Sequence, residues 1–444
     1  MQAFVRQRPY LVFLIAVVIF ISTAAWRTLQ STDATSVTVV DSVPAPVAPG
    51  NLTTIGQLQA YLRTHPDDTD AHATLGLSLL YRVRETADPQ LYVQAEAAFD
   101  TALEHEPHHF NALVGKGMLA LSRHQFTEAL EWGNRALEVN PHNAQPYGII
   151  GDALTEFGQY DAAVAAIQKM VDLRPDVRSY SRVSYQRELH GNTEGAIESM
   201  EKATNAGNRL SEETLWARVE LGHLYFNQGD LANAEKHYLE ALELRPDYVY
   251  AFAGMARVRA AQGQIEEAIQ FYDMIVEQLP LPEFAIALGD LHTVAGNEKA
   301  AQQQYELVHT IQKLNNDAGM DTELEMVRFL VDQEIDPTQA VVQARATYAQ
   351  RPSIYAADTL AWALYQQGVY EEARQYSEEA LRLGTRDATL HFHAGMIAMA
   401  LDDTDAAHEH LQLALSINPH FSLRYAPQAQ EHIATLAIQK EVTR

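Results

Sequence analysis

The sequence contains no cysteine among its 444 residues. This absence excludes disulfide bonds, thiolate metal sites, a cysteine nucleophile and a lipid-modified amino-terminal cysteine. Basic residues are also few: 32 lysines and arginines stand against 58 aspartates and glutamates, which gives a formal net charge of -26. Because so acidic a surface repels phosphate backbones, the composition argues against general nucleic-acid binding.

The motifs of common enzyme classes are absent as well. Gly115-Lys116 lacks the upstream glycine of a phosphate-binding loop, and no G-x-S-x-G sequence marks a nucleophilic serine. His408-Glu409-His410 does not have the spacing of an H-E-x-x-H zinc site. We therefore expect no catalytic residues, no cofactor and no enzymatic activity.

Only one long apolar run is present, close to the amino terminus. Residues 10–26 carry no formal charge and are bracketed by Tyr10 and Trp26, as is typical of a membrane-spanning segment. A basic segment, residues 1–9, precedes the run, and a linker rich in Pro, Ser, Thr and Val, residues 27–50, follows it. The positive-inside rule predicts a cytoplasmic amino terminus and an extracytoplasmic remainder. The run is interpreted as a signal anchor or, alternatively, as a cleaved signal peptide of a secreted protein.

Regularly spaced prolines occupy the rest of the chain. Pro107, Pro141 and Pro175 are 34 residues apart, and Pro246 and Pro280 repeat the interval. A fixed period of this length predicts an array of helix pairs rather than one domain with a single core. Since proline cannot continue a helix, each proline is expected to follow the second helix of a repeat.

Small residues recur at fixed offsets within the period. A glycine able to take the left-handed conformation is predicted to end the first helix of six repeats, at Gly158, Gly191, Gly229, Gly263, Gly296 and Gly368. An alanine recurs where the second helix packs closely, at Ala95, Ala129, Ala163, Ala196, Ala234, Ala268, Ala301, Ala340, Ala373 and Ala407. The ten alanines predict ten repeats.

The pattern resembles the tetratricopeptide repeat, which reads W-x2-L-G-x2-Y, A-x3-F and P. The stretch that carries Gly151, Gly158, Ala163, Ile167 and Pro175 at the family offsets is one example. The resemblance runs from residue 51 to the carboxyl terminus and implies an all-α fold. It implies a right-handed α-α superhelix of about ten repeats over residues 51–425, followed by a capping helix and tail over residues 426–444.

Irregularities interrupt the period in several repeats. The first repeat carries an insertion around residues 83–91, and the seventh repeat lengthens its second helix through residues 312–318. The eighth repeat has Arg328 where the family has glycine. A half-repeat, residues 54–66, is expected to cap the amino-terminal end of the array.

The resemblance implies that the first helix of each repeat lines a concave groove for a protein or peptide partner. By register, the groove candidates of the central repeats are Arg178, Arg182, Tyr185, Trp216, His223, Phe226, Asn227, Tyr250 and Arg257. The ninth repeat adds Tyr355, Asp358, Trp362 and Tyr365. This aromatic and locally basic composition is typical of binding hot spots, although aromatic side chains at these offsets could also pack between helices.

The sequence therefore favours a non-enzymatic scaffold or adaptor, tethered to the cytoplasmic membrane by its amino-terminal helix, with its repeats outside the cytoplasm. Bacterial envelope proteins with an anchor and a tetratricopeptide array resemble this organisation and assist the assembly of envelope complexes. Two alternatives remain open. The histidine-rich last repeat could bind a metal through His393 and His410, or the arrays could self-associate into a structural scaffold.

Overall fold

The computed structural model describes residues 54–442, of which residue 323 and residues 439–442 are described by their backbone alone. The described residues form 22 α-helices and no strand. A single helix, α1 (Ile55–Leu62), precedes ten helix pairs, and α22 (Tyr425–Val442) follows them. In each pair we call the first helix A and the second helix B. The all-helical array of ten repeats is as predicted.

The ten A–B pairs follow one another along the chain. They are α2 (Thr69–Thr86) and α3 (Gln90–His105), α4 (Phe110–Ser122) and α5 (Phe126–Val139), α6 (Gln145–Glu156) and α7 (Tyr160–Leu173), α8 (Val177–Leu189) and α9 (Thr193–Ala206), α10 (Glu212–Asn227) and α11 (Leu231–Leu244), α12 (Val249–Ala261) and α13 (Ile265–Gln278), α14 (Pro282–Val294) and α15 (Glu298–Asp317), α16 (Glu323–Asp332) and α17 (Pro337–Gln350), α18 (Ile354–Gln366) and α19 (Tyr370–Ala380), α20 (Ala388–Ala400) and α21 (Thr404–Ile417).

Each repeat packs through the small residues that the sequence singles out. All ten recurring alanines are at most 3% exposed. In the fifth repeat the ring of Tyr238 fills the space beside Gly222 and Gly254, where an added Cβ would lie 2.4 and 2.5 Å from the ring. Because glycine has no Cβ, one fully buried aromatic side chain joins the A helices of two successive repeats.

The prolines end the B helices as predicted. Helices α3, α5, α7 and α11 each end two residues before a proline, at positions 107, 141, 175 and 246. The proline ring would clash with the preceding turn of a continued helix and would leave one of its hydrogen bonds unmade.

The residue at each A–B turn adopts the left-handed conformation. The six predicted glycines have φ between 65° and 80°. The four remaining repeats place Ala87, His124, Glu334 and Asp402 at the same point, with φ between 50° and 58°. The left-handed turn is therefore common to all ten repeats. In four of them it is formed by a residue whose side chain disfavours the left-handed conformation.

The superhelix winds back onto itself. In each of the first five repeats, the A–B turn contacts an inter-repeat loop of the next superhelical turn. That loop follows the repeat whose number is five higher, so the turn of the first repeat meets the loop after the sixth repeat. We call these five contacts the seam. In the first contact, Ala87 packs against the apolar cluster that contains Leu281 and Phe284, between the sixth and seventh repeats.

Backbone hydrogen bonds reinforce the seam in the second and third repeats. Asp321 N–H donates to the carbonyl oxygen of Arg123 at 2.7 Å. Ile354 N–H donates to the hydroxyl of Tyr160 at 2.9 Å. Arg382, from the loop after the ninth repeat, also donates to the third repeat, to the carbonyl oxygen of Gly158 at 3.1 Å. These bonds satisfy polar backbone groups that the meeting of two superhelical turns would otherwise bury without partners.

The fourth and fifth repeats complete the seam. A Cβ at Gly191 would lie 2.2 Å from the carbonyl oxygen of Gly384, so the two backbones are in direct contact. Asn418 donates to the carbonyl oxygen of Phe226 at 2.9 Å, and Pro419 lies against Gly229.

Both insertions identified in the sequence take part in this closure. The first extends α2 to 18 residues and carries Tyr81, Arg84 and Ala87 towards the fourth to sixth repeats. The second extends α15 to 20 residues, as the spacing predicts, and Gly319 just beyond it accepts a hydrogen bond from Gln125.

Within residues 54–442, no helix has both the length and the apolar character needed to cross a membrane. The predicted anchor, residues 10–26, lies outside the described residues, as do its flanking segments, residues 1–9 and 27–50.

The seam can be tested with matched glycine substitutions. An added Cβ at Gly263 or Gly296 meets no atom within 4 Å, so alanine there should cost only the left-handed strain, about 1–2 kcal/mol. An added Cβ at Gly158 would lie 2.3 Å from the carbonyl oxygen of Pro352, so alanine there should cost about 1–3 kcal/mol more. Urea unfolding gives these free energies. Equal losses at Gly158 and Gly263 would mean that the two superhelical turns are apart in solution.

Candidate binding site in the central cavity

The inner face of the first five repeats forms a partly open cavity of about 440 Å³, which we call the central cavity. Its wall is formed mainly by helices α2, α4, α6, α8 and α10. Three aromatic side chains line it: Tyr81, 40% exposed; Tyr185, 39%; and Trp216, 37%. Within the part of the chain that the structure describes, these are the only exposed aromatic side chains of Phe, Tyr or Trp. Exposed aromatic surface gathered in one concavity is typical of a ligand or partner site.

The two candidate arginines of α8 also line the cavity, but both are paired with carboxylates. Arg182 binds both carboxylate oxygens of Asp152 on α6, at 2.6 to 3.0 Å. Arg178 donates to Glu213 on α10 at 2.8 Å and to the Tyr81 hydroxyl at 2.8 Å. The locally basic surface expected from the sequence is therefore neutralised, because neighbouring A helices bring carboxylates against the guanidinium groups.

The cavity is also lined by two further carboxylates, Glu188 on α8 and Glu220 on α10. Glu188 accepts one hydrogen bond, from Asn227 at 3.3 Å. Among the described residues, Glu220 has no hydrogen-bonding or ion-pair partner. Burial, reinforced by the charge of Glu188, raises the pKa of Glu220 to about 7, although Arg257 acts in the other direction. Burial also raises the pKa of Glu188.

The candidates at the far end of α10 form a packed cluster beside these carboxylates. Phe226 is buried, and the guanidinium of Arg257 lies 4.2 Å from its ring centre. The Nδ1 atom of His223 accepts from the Tyr238 hydroxyl at 2.7 Å and faces Arg257 at 3.2 Å. Burial, followed by the charge of Arg257, lowers the pKa of His223 to about 3, so this imidazole is uncharged at neutral pH. Asn227 lies within 3.5 Å of Arg257.

Tyr250 contributes to the closure of the superhelix. Its hydroxyl donates to the carbonyl oxygen of Arg84 in the first repeat, at 3.2 Å. Of the nine candidates in the central repeats, the structure thus brings Arg178, Arg182, Tyr185 and Trp216 to the cavity wall, whereas the other five do not line it.

The four candidates of the ninth repeat separate into two environments. Asp358 and Trp362 are buried. Trp362 stacks between Tyr365 and His393, with ring centres 4.6 and 4.2 Å away, so the packing alternative describes it better than the groove. Tyr355 instead packs against the apolar cluster of Tyr160, Leu189 and Ile354, and it interacts electrostatically with Tyr185.

The candidate metal ligands His393 and His410 have different partners. His393 Nδ1 lies 3.0 Å from both carboxylate oxygens of Asp358, whereas His410 Nδ1 lies 3.1 Å from Nδ1 of His391. No group of three or more His, Asp or Glu side chains with metal-binding geometry occurs within residues 54–442. The two histidines thus take part in side-chain packing of the last repeats rather than in a common cluster.

Tyr81, Glu188 and Glu220 are among the cavity residues that sequence reasoning missed. Glu188 and Glu220 occupy the twelfth and sixth positions of their repeats, which are inner-face offsets of the family, so register alone could have identified them. Tyr81 occupies the thirteenth position of the first repeat, with Gly76 at the eighth, and the insertion begins only after it, so the same register could have identified Tyr81 as well.

The charge of Glu220 should oppose folding. Its pKa is raised from 4.5 to about 7, so the folded protein holds the proton more tightly than the unfolded chain. Stability therefore falls as pH rises through this interval, and the loss is complete above it. We expect Glu220→Gln to raise the free energy of unfolding by about 1–2 kcal/mol near pH 8 and to change it little near pH 4.5. Urea unfolding at both pH values measures the difference. A variant that is destabilised near pH 8 would contradict this assignment.

Comparison with known proteins agrees with this architecture. Models of the tetratricopeptide repeat match residues 90–144, 144–177, 225–291, 354–386 and 388–421. Stress-induced-phosphoprotein 1 of Caenorhabditis elegans is 23% identical over 188 residues, covering 42% of this chain and 57% of that protein. The TPR repeat-containing protein YpiA of Bacillus subtilis is 23% identical over 288 residues, covering 64% of this chain and 58% of that protein.

The chain thus spans a little over half the length of these two relatives. Among solved structures, a human IFIT1 dimer with PPP-AAAA has a TM-score of 0.47 and 16% identity, and the match covers 74% of this chain and 77% of that one. The repeated left-handed turns, the ten buried alanines and the matches to five segments lead to one conclusion: the chain belongs to the tetratricopeptide-repeat proteins.

Proposed function

We propose that this protein is a non-enzymatic adaptor that binds a segment of a partner protein in the central cavity. Tetratricopeptide-repeat proteins generally mediate protein–protein interactions. The observation that carries the proposal is the gathering of Tyr81, Tyr185 and Trp216 in one concavity. Tyrosine and tryptophan are enriched at binding hot spots because they bury a large area with few rotatable bonds.

The size of the cavity limits what can enter. Its volume of about 440 Å³ lies within the range of small-ligand pockets, about 300–1,000 Å³. A folded domain would contact only the rim. A few side chains of an extended segment can reach the aromatic wall, so the proposed partner presents a loop, a tail or a linker.

The proposal has a matched test. We expect Tyr185→Ala combined with Trp216→Ala to reduce partner capture at least about tenfold, because truncation of aromatic hot spots commonly costs 2 kcal/mol or more. The control combines Val164→Ala with Val342→Ala, which removes exposed apolar side chains from B helices. Full-length tagged protein is crosslinked in its own cells, purified and analysed by mass spectrometry.

If the Tyr185→Ala/Trp216→Ala variant and the control lose the same captured proteins, or if neither loses any, binding in the cavity is contradicted. Recovery of copies of this chain alone would favour a self-associating scaffold instead.

We also propose that residues 10–26 anchor the protein in the cytoplasmic membrane and hold the array outside the cytoplasm, where it could assist the assembly of envelope complexes. The support is the uncharged run itself, preceded by Arg6 and Arg8. On this proposal, protease added to cells stripped of their outer layers digests the array, and deletion of residues 1–27 protects it inside the cell. An array of the intact protein that resists digestion while a known extracytoplasmic protein is degraded would overturn the topology.

A further inference from the structure

The central cavity contains carboxylates that do not stabilise the fold through ion pairs. Each arginine of its wall has a carboxylate partner: Arg178 pairs with Glu213, Arg182 with Asp152, and Arg84 lies 3.6 Å from Glu212. Glu188 and Glu220 remain without a cationic partner at ion-pair distance within the described residues. A carboxylate that is partly buried without a counter-ion costs stability, so its presence calls for an explanation.

The charges around these two carboxylates come from both superhelical turns. Arg257 on α12 interacts with Glu220 but is positioned by Phe226, His223 and Asn227. From the second superhelical turn, Asp387 acts on Glu188. Arg328, the residue that replaces the expected glycine of the eighth repeat, interacts in turn with Asp387. The three carboxylates Glu188, Glu220 and Asp387 therefore outnumber the two arginines that face them.

The aromatic side chains next to this charge complete the arrangement. Tyr185 precedes Glu188 by three residues on α8, and Trp216 precedes Glu220 by four on α10, so each aromatic lies on the same helix face as a carboxylate. Aromatic faces attract cations, and they pack well against the aliphatic part of a long basic side chain. Met118, Met170 and Met200 also line the cavity and supply a deformable apolar wall.

We infer that the central cavity recognises an arginine or lysine side chain of an extended partner segment, with the cation between Glu188 and Glu220 and the aliphatic stem against Tyr185 and Trp216. This inference rests on the proposed function and specifies the chemistry of the partner. An acidic segment would bring further negative charge to unpaired carboxylates, while the arginines that could receive it are already occupied. A purely apolar segment would bury the two carboxylates without a counter-charge.

The test uses full-length protein, immobilised through a carboxyl-terminal tag, and a displayed library of random dodecapeptides. We expect the enriched peptides to share an arginine or lysine whose replacement by glutamine weakens binding about tenfold. Glu188→Gln and Glu220→Gln should each weaken the same peptides about tenfold. The matched control is Glu243→Gln, which removes one negative charge from an exposed position on α11.

Two further readouts separate recognition from folding. Glu220→Gln is expected to be more stable than the wild-type protein at alkaline pH and yet to bind less tightly, which general damage to the fold cannot produce. Wild-type affinity should also fall between about pH 8 and about pH 6 as Glu220 takes up a proton, and this dependence should be weaker in Glu220→Gln. His223 stays uncharged in this range, and the raised pKa of Arg328 keeps that guanidinium charged.

Enrichment of peptides that lack a basic residue, or equal binding by wild type and the Glu188→Gln/Glu220→Gln double variant, would overturn the inference. If such peptides still lose binding to the Tyr185→Ala/Trp216→Ala variant, the proposed function stands and only the chemistry of the partner is wrong. If no peptide depends on any cavity residue, the inference fails, and the crosslinking experiment decides the proposed function on its own.

Discussion

The seam between the two superhelical turns is the constraint on which the rest of the structure depends. A tetratricopeptide array needs only contacts between neighbouring repeats to be stable. Here five A–B turns also meet five inter-repeat loops, and hydrogen bonds such as that from Ile354 N–H to the Tyr160 hydroxyl hold the turns together. The concave face of the first turn consequently forms the wall of a partly open cavity, and the second turn meets the first along the seam.

Burial accounts for the electrostatics of the inner face. A carboxylate on an open solenoid would be solvated and would titrate near its ordinary pKa. Glu188, Glu220 and Asp387 instead have raised pKa values, with burial as the leading cause in each case. The cavity therefore combines low solvation with unpaired charge, which strengthens any ion pair formed there relative to one on the surface.

Much of the fold could be predicted from the sequence because it is set locally. The period of the prolines, the recurring alanines and the glycines of six A–B turns each report contacts within a repeat or between neighbours. The seam could not be predicted in this way, since it depends on small rotations summed over five repeats. The pairing of Arg182 with Asp152 was missed for a related reason: register places a residue on the inner face but does not say which partner it meets there. Trp362 shows the same limit. Its position in the repeat predicts the inner face, but its ring is buried in a stack of aromatic rings.

The constant offset of the seam also bears on how such an array can change in evolution. Open solenoids gain and lose repeats easily, because each unit meets only its neighbours. In this protein, removal of one repeat from the middle would shift every later loop by one position against the A–B turns of the first superhelical turn. Tyr160 would then face a loop other than the one that carries Ile354. Loss of a repeat from the carboxyl-terminal end would only shorten the seam, so copy number is free to vary at the end of the array and is fixed in its interior.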